Sequence, residues 1–456
     1  MLCRLRRPRE NCQIPTNIKN DGSEVCSRGP VMKNEPLGHN KPVPLSNDNQ
    51  PTHEGPYQGQ LHDPRDEACG FDILPSFERF NKNNDTYNRG RWDERIMSKK
   101  VLDWFRGMYR PDIAARDRDG YTAKDFAFRL GGWVGTNLLI ERNLKNGRVD
   151  GYQDDIEIYS QTAKEKVEIE SPEKMSKELK RVAGIFGAEL IGITSADQRW
   201  HYSHWYDADH NAEKPANLPE GLNNTIVIGT TMDHNIIKTY PSATAGTAVG
   251  FGYSQDANTL QAIGTFIQAM GYRAVASMND TAQKVPYAIQ AGLGENGRHS
   301  MLISEEFGPR VRLGQIFTDL PLSFDESKRF GVKEFCTICR RCSDSCPPRA
   351  IHDGEPQDEI YNQSNFVGIR KWSIDNEKCF KFWVNQGTDC GICIRDCPYN
   401  MDTSTWLKQK YYQFWVWLAG TRLRRLALWL DYKIGDGGRK EPDWWWSGGG
   451  DATLNK

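Results

Sequence analysis

The stretch Phe335-Cys336-Thr337-Ile338-Cys339-Arg340-Arg341-Cys342-Ser343-Asp344-Ser345-Cys346-Pro347 decides how the rest of this chain is read. Its spacing is Cys-x2-Cys-x2-Cys-x3-Cys-Pro. A partly matching run follows at Cys390, Cys393, Cys397 and Pro398, with Cys379 upstream. Three closely spaced thiolates of this kind hold one iron–sulfur cubane while the fourth reaches a neighbouring cluster. Cys336, Cys339, Cys342 and Cys397 are therefore expected to hold one [4Fe–4S] cluster, and Cys379, Cys390, Cys393 and Cys346 the second. In the second run the first thiolate has moved upstream to Cys379, with ten residues looped out before Cys390. Structural zinc and disulfide frameworks also use Cys-x2-Cys pairs. Zinc, however, wants four ligands in two pairs, whereas these are two triplets, each closed by Cys-Pro.

Working outward, the chain has 456 residues, a formal charge of −1 and 11% aromatic residues. Its length suggests roughly two to four domains. With no basic stripe, nucleic acid is a poor electrostatic partner. Residues 1–85 are rich in Pro, Asn, Gly and charge with little periodicity, so they read as an extended or partly disordered head. Cys3, Cys12, Cys26 and Cys69 lie there and read as free thiols. Residues 86–170 are dense in aromatics: Trp92, Trp104, Phe105, Tyr109, Phe126, Phe128 and Trp133. These serve core packing or an aromatic substrate pocket.

The unit 171–330 opens on Ser171-Pro172, a helix N-cap followed by proline at the first helical position. Met175, Leu179, Val182 and Phe186 then form one apolar face. Ala188–Thr194, Thr225–Gly229 and Arg273–Met278 read as buried strands, and a helix is expected from about Ser254 to Met270. Helices alternating with strands argue α/β (α+β), with helices covering a sheet. Gly292-Leu293-Gly294-Glu295-Asn296-Gly297 fits the dinucleotide fingerprint in letters. A helix-like stretch precedes it and a strand-like one follows, the reverse of what a nucleotide-binding turn requires. What survives is a loop whose backbone can approach a large ligand closely. Residues 401–456 form an aromatic and basic tail containing Trp415, Trp417, Trp429 and Trp444-Trp445-Trp446. It either caps the body or docks, through its tryptophans with Arg422, Arg424 and Arg425, to a membrane partner or the lipid interface.

Taken in order, AGLGENGR, FGPRVRLGQIFTDLPL and FCTICRRCSDSCPPRAI resemble the corrinoid-dependent respiratory reductive dehalogenases over about residues 90–450. The resemblance implies a nitroreductase-like corrinoid-binding core over 171–330, followed by a two-cluster bacterial ferredoxin-like domain over 331–400. It implies a cobalamin-type corrinoid held base-off, and no Asp-x-His-x-x-Gly motif is present. The same resemblance implies the loop glycines Gly292, Gly294 and Gly297 beside the corrinoid, and Trp383 and Trp104 at the substrate pocket. For catalysis it implies Tyr253, Asn279 and Arg312. No lysine is identified for the place that some relatives with aromatic substrates give one. Replacing a halogen by hydrogen takes two electrons and a proton, so a donor must sit where negative charge develops. A tyrosine is a reluctant acid, and a nearby arginine eases its ionisation.

The implied partners are a small organohalide, a low-potential electron donor and a small membrane-anchor protein. The implied location is the outer face of the cytoplasmic membrane. Arg6-Arg7 lacks a following apolar stretch and is not readable as an export signal, so a cytoplasmic enzyme is the alternative. Two rival functions share features of the pattern. Epoxyqueuosine reductase shares the corrinoid, the clusters and a glycine-rich loop, but acts on transfer RNA. A ferredoxin-type electron carrier would leave the unit before Cys336 without a purpose.

Overall fold

The computed structural model describes residues 55–108, 110–145, 158–207, 212–216, 218–435 and 438–450. Cys3, Cys12, Cys26 and Tyr109 lie outside the described residues, as does the head before residue 55. Four strands, β1 (Leu190–Ser195), β2 (Asn224–Thr231), β3 (Ala274–Ser277) and β4 (Val311–Thr318), build the central sheet in the order β1-β2-β4-β3. Each neighbouring pair is antiparallel. The arrangement is thus the α+β form of the expected mixed fold, since helix–strand alternation along a chain does not by itself fix strand direction.

Successive strand residues face opposite sides. Ile226 and Ile228 of β2 join one core with Leu179, Leu260, Ile263 and Ile316. Val227 joins the other with Trp200, Tyr287 and Phe317. Covered on both faces, β2 therefore reads as an unbroken apolar run. The helix Pro172–Ile185 starts where expected, with Ser171 Oγ accepting from the Lys174 N–H at 3.2 Å. Residues 57–80 are packed where the sequence suggests looseness. Cys69 and Phe77 are fully buried in the second core, alongside Phe71. Arg199 reinforces this seam with ion pairs to Asp66 (2.6 Å) and Asp197 (2.5 Å). Singly spaced aromatics need no periodicity to pack, because each fills its own gap on a sheet face; burying one such side chain contributes about 1.5–3 kcal/mol.

The long helix runs Ala243–Ala269, beginning at the Ser242 N-cap, whose Oγ accepts from the Ala245 N–H at 2.9 Å. It starts well before the expected Ser254. The first three turns are rich in glycine, which weakens intrinsic helix propensity. Tertiary contact overrides that preference. A Cβ on Gly250 would lie 2.2 Å from Trp133 Cδ1, and one on Gly252 would lie 2.6 Å from Arg312 Cγ. These glycines are the means by which two large side chains reach the helix surface.

After β4 the chain enters the cysteine segment, carried by the helices Val332–Ile338 and Asn376–Gln386 and short turns at Arg341–Asp344 and Ile392–Arg395. The glycine loop of the core grips it from both ends. Glu295, 1% exposed, accepts from the Gly331 N–H (2.8 Å) and the Val332 N–H (3.4 Å), capping the helix that bears Cys336. Arg298, 2% exposed, donates to the carbonyls of Cys336 (2.7 Å), Cys339 (3.1 Å), His352 (3.0 Å) and Gly354 (2.9 Å). Its guanidinium also lies 4.7 Å from the centre of the Trp372 ring.

Part of the tail packs on the body and part is exposed. Trp415 is buried, donating to the Ala427 carbonyl at 2.9 Å, in the same cluster as Cys336, Cys339 and Cys397. Trp445 stacks on Phe128 at 4.8 Å, and Trp446 donates to Asp125 at 2.8 Å. Trp417 and Trp429 face solvent.

Replacing Arg298 by methionine leaves four carbonyls without their charged donor, each loss costing about 1–3 kcal/mol. The expected outcome is a folded core with a loosened cluster segment. In a urea titration, the visible iron–sulfur absorbance should be lost at lower denaturant than the far-ultraviolet helix signal, whereas in the parent chain the two fall together.

Candidate functional site

Tyr253 projects from the middle of the long helix, Arg312 from the start of β4, and Asn279 from the turn after β3. The structure brings the three together. Asn279 Nδ2 donates to the Tyr253 hydroxyl at 3.2 Å. The Arg312 guanidinium lies 3.8 Å from the centre of the Tyr253 ring, and Trp133 stacks against that ring at 5.2 Å and 28°. Arg312 is thus held over the π-face, where its cation is attracted by the electron-rich ring. All three residues are half-buried.

Three charged groups of this neighbourhood were not singled out in the sequence. Asp256, one turn along the long helix from Tyr253, is fully buried and accepts from Thr230 Oγ1 at 2.7 Å. Burial raises its carboxyl to about 7, against the pull of the Thr230 hydrogen bond and the Arg312 and Lys284 charges. Lys284 donates to Ser277 Oγ (2.7 Å) and the Ala282 carbonyl (3.3 Å). Burial, aided by the Lys82 charge and opposed by Asp280 and Asp256, lowers it to about 7. Lys82, 4% exposed, pairs with Asp85 at 2.9 Å and lies within electrostatic reach of Tyr202 and Tyr253. Of the two lysines, Lys82 is the one within electrostatic reach of the tyrosine. Lys82 sits in the aperiodic head, and Lys284 opens an unremarkable helix, so neither carried a local signal.

Trp104 and Trp383 belong to one aromatic cluster. Tyr87 lies 5.8 Å from Trp104 and 6.2 Å from Trp383, ring centre to ring centre, and Phe380 lies 5.4 Å from Trp104. Tyr87 in turn interacts electrostatically with Tyr253, and Trp383 lies beside the Cys379 thiol. An aromatic wall therefore runs from the cysteine segment toward the tyrosine.

The eight thiols sort into two groups of four. Cys397 interacts electrostatically with Cys342, Cys336 and Cys339. Cys390 interacts with Cys379 and Cys346, and Cys393 with Cys390, Cys379 and Cys346, as well as with Cys342 across the divide. Burial pushes Cys336 up to about 11 and Cys339, Cys379 and Cys390 up to about 12. Cluster binding must therefore release protons from these groups. All nine described cysteines are free thiols. Among the described residues, no group of three or more His, Cys, Asp or Glu is positioned to hold a single metal ion. Thiols gathered in two groups of four suit two cubanes.

The loop glycines have a packing explanation. A Cβ on Gly292 would lie 2.4 Å from the Glu326 carbonyl oxygen, one on Gly294 would lie 2.2 Å from that of Ile303, and one on Gly297 would lie 2.8 Å from the His299 ring. Their lack of a side chain is demanded by the chain itself. Two polar atoms of the loop are left over: His299 Nε2 and Asn296 Nδ2 are buried with no hydrogen-bond partner among the described residues. Buried polar atoms in that condition are costly, and a large polar cofactor would satisfy them.

Residues 209–322 match the family profile described as reductive dehalogenase subunit, and residues 335–400 match that of a 4Fe-4S double cluster binding domain. A tetrachloroethene reductive dehalogenase of Desulfitobacterium hafniense is 35% identical over 278 residues, 52% of this chain and 50% of that protein. An epoxyqueuosine reductase of a Synechococcus species is 26% identical over 321 residues, 56% of this chain and 92% of that protein. Among solved structures, the catabolic reductive dehalogenase NpRdhA superposes with a TM-score of 0.63 at 21% identity, over 83% of this chain and 50% of that one. The chain thus spans about half the length of the dehalogenases it matches, and the shared fold is theirs.

Two outcomes are expected. Cys379→Ser should bind roughly half the iron of the parent chain after reconstitution, measured by iron analysis, because one of two clusters loses a ligand. Asp256→Asn should flatten a pH dependence. The carboxyl is held neutral in the folded chain but ionises near its ordinary value when unfolded. Its contribution is therefore complete below about pH 4 and is lost as pH rises to about 7, by up to roughly 1 kcal/mol per pH unit. Urea denaturation between pH 5 and 7 should show that slope in the parent chain and a shallower one in the variant.

Proposed function

We propose that this chain is a corrinoid-dependent reductive dehalogenase, replacing a halogen of a small organohalide by hydrogen and releasing halide. The observation that carries the reading is the convergence of Tyr253, Asn279 and Arg312 from three separate elements, walled by aromatics that extend to the cysteine segment. The cysteine groups fit two [4Fe–4S] clusters, and the unpartnered His299 and Asn296 atoms of the glycine loop fit the edge of a polar macrocycle. When bound, the corrinoid would supply a low-potential cobalt centre, fed by two electrons from the clusters.

The chain's own residues do the rest. Trp104, Trp383 and Tyr87 exclude water and receive an apolar halocarbon. Tyr253 holds the transferable proton on its hydroxyl oxygen, which Asn279 orients by donating to it. As that proton leaves, Arg312 stabilises the phenolate across the ring face. By family resemblance the enzyme takes its electrons from a low-potential donor at the outer face of the cytoplasmic membrane, beside a small membrane-anchor protein. Among the described residues no helix is long and apolar enough to cross a membrane.

The test is anaerobic, viologen-driven halide release from chlorinated and brominated alkenes and phenols by the corrinoid- and cluster-reconstituted protein. Tyr253→Phe should lower the turnover rate by about 10²–10⁴-fold with iron and cobalt content unchanged, the range for losing a general acid. Undiminished release would remove Tyr253 from the role. No release from any compound by fully loaded protein would favour epoxide reduction on transfer RNA instead.

A further inference from the structure

The two tail helices form a hairpin with unlike sides. The inner side, with Tyr412, Trp415, Leu418 and Ala427, packs on the segment bearing Cys336, Cys339 and Cys397. Arg341 ties it down further through an ion pair with Asp431 at 2.5 Å. The outer side carries large apolar groups that are exposed among the described residues. On Trp406–Gly420, Trp406 (67% exposed), Phe414 and Trp417 (60%) fall with Lys410 on one helical face. On Arg424–Ile434, Leu426, Trp429 (53%) and Tyr432 (62%) fall with Arg425 and Lys433 on one face. Arg422 and the exposed Leu423 occupy the connecting turn.

Charge on this hairpin has one sign. Between residues 405 and 434 there are six cationic side chains, Lys408, Lys410, Arg422, Arg424, Arg425 and Lys433, and one acid, Asp431. That acid is buried and already paired with Arg341, and Lys408 is paired with Asp402 at 2.5 Å. Off the hairpin, Glu305 and Glu334 line the cleft beside Trp417. An apolar face of Trp, Phe, Leu and Tyr fringed by Lys and Arg is the composition of a helix that lies in the plane of a bilayer interface, aromatic rings at headgroup depth and cations on the phosphates. A second copy fits poorly, since a two-fold contact would set the same cations against each other. Exposed Leu407, Leu423, Leu426 and Ile434 have no use against a nucleic acid backbone.

We propose that the outer face of this hairpin seats the enzyme flat on an anionic lipid surface, with the segment holding Cys336, Cys339, Cys342 and Cys397 directly above it. The inference rests on the membrane placement proposed above and goes further by naming the surface and its ligand. Seated so, the first thiolate group stands nearest the membrane, where a lipid-soluble reductant would deliver electrons.

The experiment uses the full, cluster-loaded chain in flotation with vesicles of mixed phosphatidylglycerol and phosphatidylcholine, against vesicles of phosphatidylcholine alone. The expected result is binding to the anionic vesicles that weakens with salt, with quenching of tryptophan fluorescence by brominated lipid. Arg422→Gln/Arg425→Gln should weaken partitioning by roughly thirtyfold, as two juxtamembrane cations predict. Trp417→Ser/Trp429→Ser should abolish both binding and quenching at unchanged iron content. All four side chains are exposed, so the fold does not depend on them. Absence of vesicle binding, or binding indifferent to both double substitutions, overturns the proposal. So does self-association abolished by the substitutions, or binding to RNA oligomers in place of vesicles. Enzyme found in the membrane fraction of cells whose purified form ignores vesicles would retain the membrane placement through an anchor protein and sink direct lipid contact. Vesicle binding without halide release would do the converse, keeping the docking face while removing the dehalogenase reading.

Discussion

Everything distinctive about this molecule depends on the grip of one short loop on the segment that follows the sheet. Glu295 and Arg298, three residues apart and both out of contact with solvent, meet opposite kinds of backbone group: an acid on the N–H groups that open a helix, a base on carbonyls of the cysteine turns. Each is a charge-assisted interaction in a low-dielectric setting, stronger than a neutral hydrogen bond and costly to leave half-made. A loosely tethered cysteine segment would let the distance between thiols and core fluctuate. The clamp removes that freedom, so an electron acceptor in the core faces donors at a constant separation.

A second constraint acts on the other side of the sheet. The long helix gives up propensity at Gly250 and Gly252 so that Trp133 and Arg312 can lie against it, and between them they hold the Tyr253 ring. The cost is about 1 kcal/mol for each helical glycine relative to alanine. What it secures is a tyrosine whose ring is fixed by stacking and whose hydroxyl is addressed by Asn279. Around it, burial drives Asp256 up and Lys284 down to nearly the same value, about 7. The two groups lie within electrostatic reach of one another, each opposing the shift that burial imposes on the other.

Some of this was legible in the letters. The thiol spacing is local and its geometry nearly self-sufficient, which is why the grouping of Cys346 with the distant Cys379, Cys390 and Cys393 follows from pattern and reappears in space. The N-cap at Ser171 and three of the four strands of the central sheet were readable for the same reason: a cap and an apolar run are properties of a few adjacent residues. The start of the long helix was not, because its glycines argue locally against a helix and only the side chains from elsewhere explain them. Nor was the head, where Cys69, Phe71 and Phe77 find the sheet face one at a time.

What the sequence determined by itself is the redox chemistry the chain can support, since that rests on thiol spacing along a continuous stretch, together with the mixed helix–sheet character of the core. Tertiary structure alone decided which residues meet. It placed Lys82 within electrostatic reach of a tyrosine far from it in the chain, turned a nucleotide-like loop into a clamp, and split the tryptophans of the tail between a buried seam and an exposed face. Those outcomes depend on long-range contact, where the partner of each residue lies tens or hundreds of positions away and leaves no mark on its neighbours in the chain.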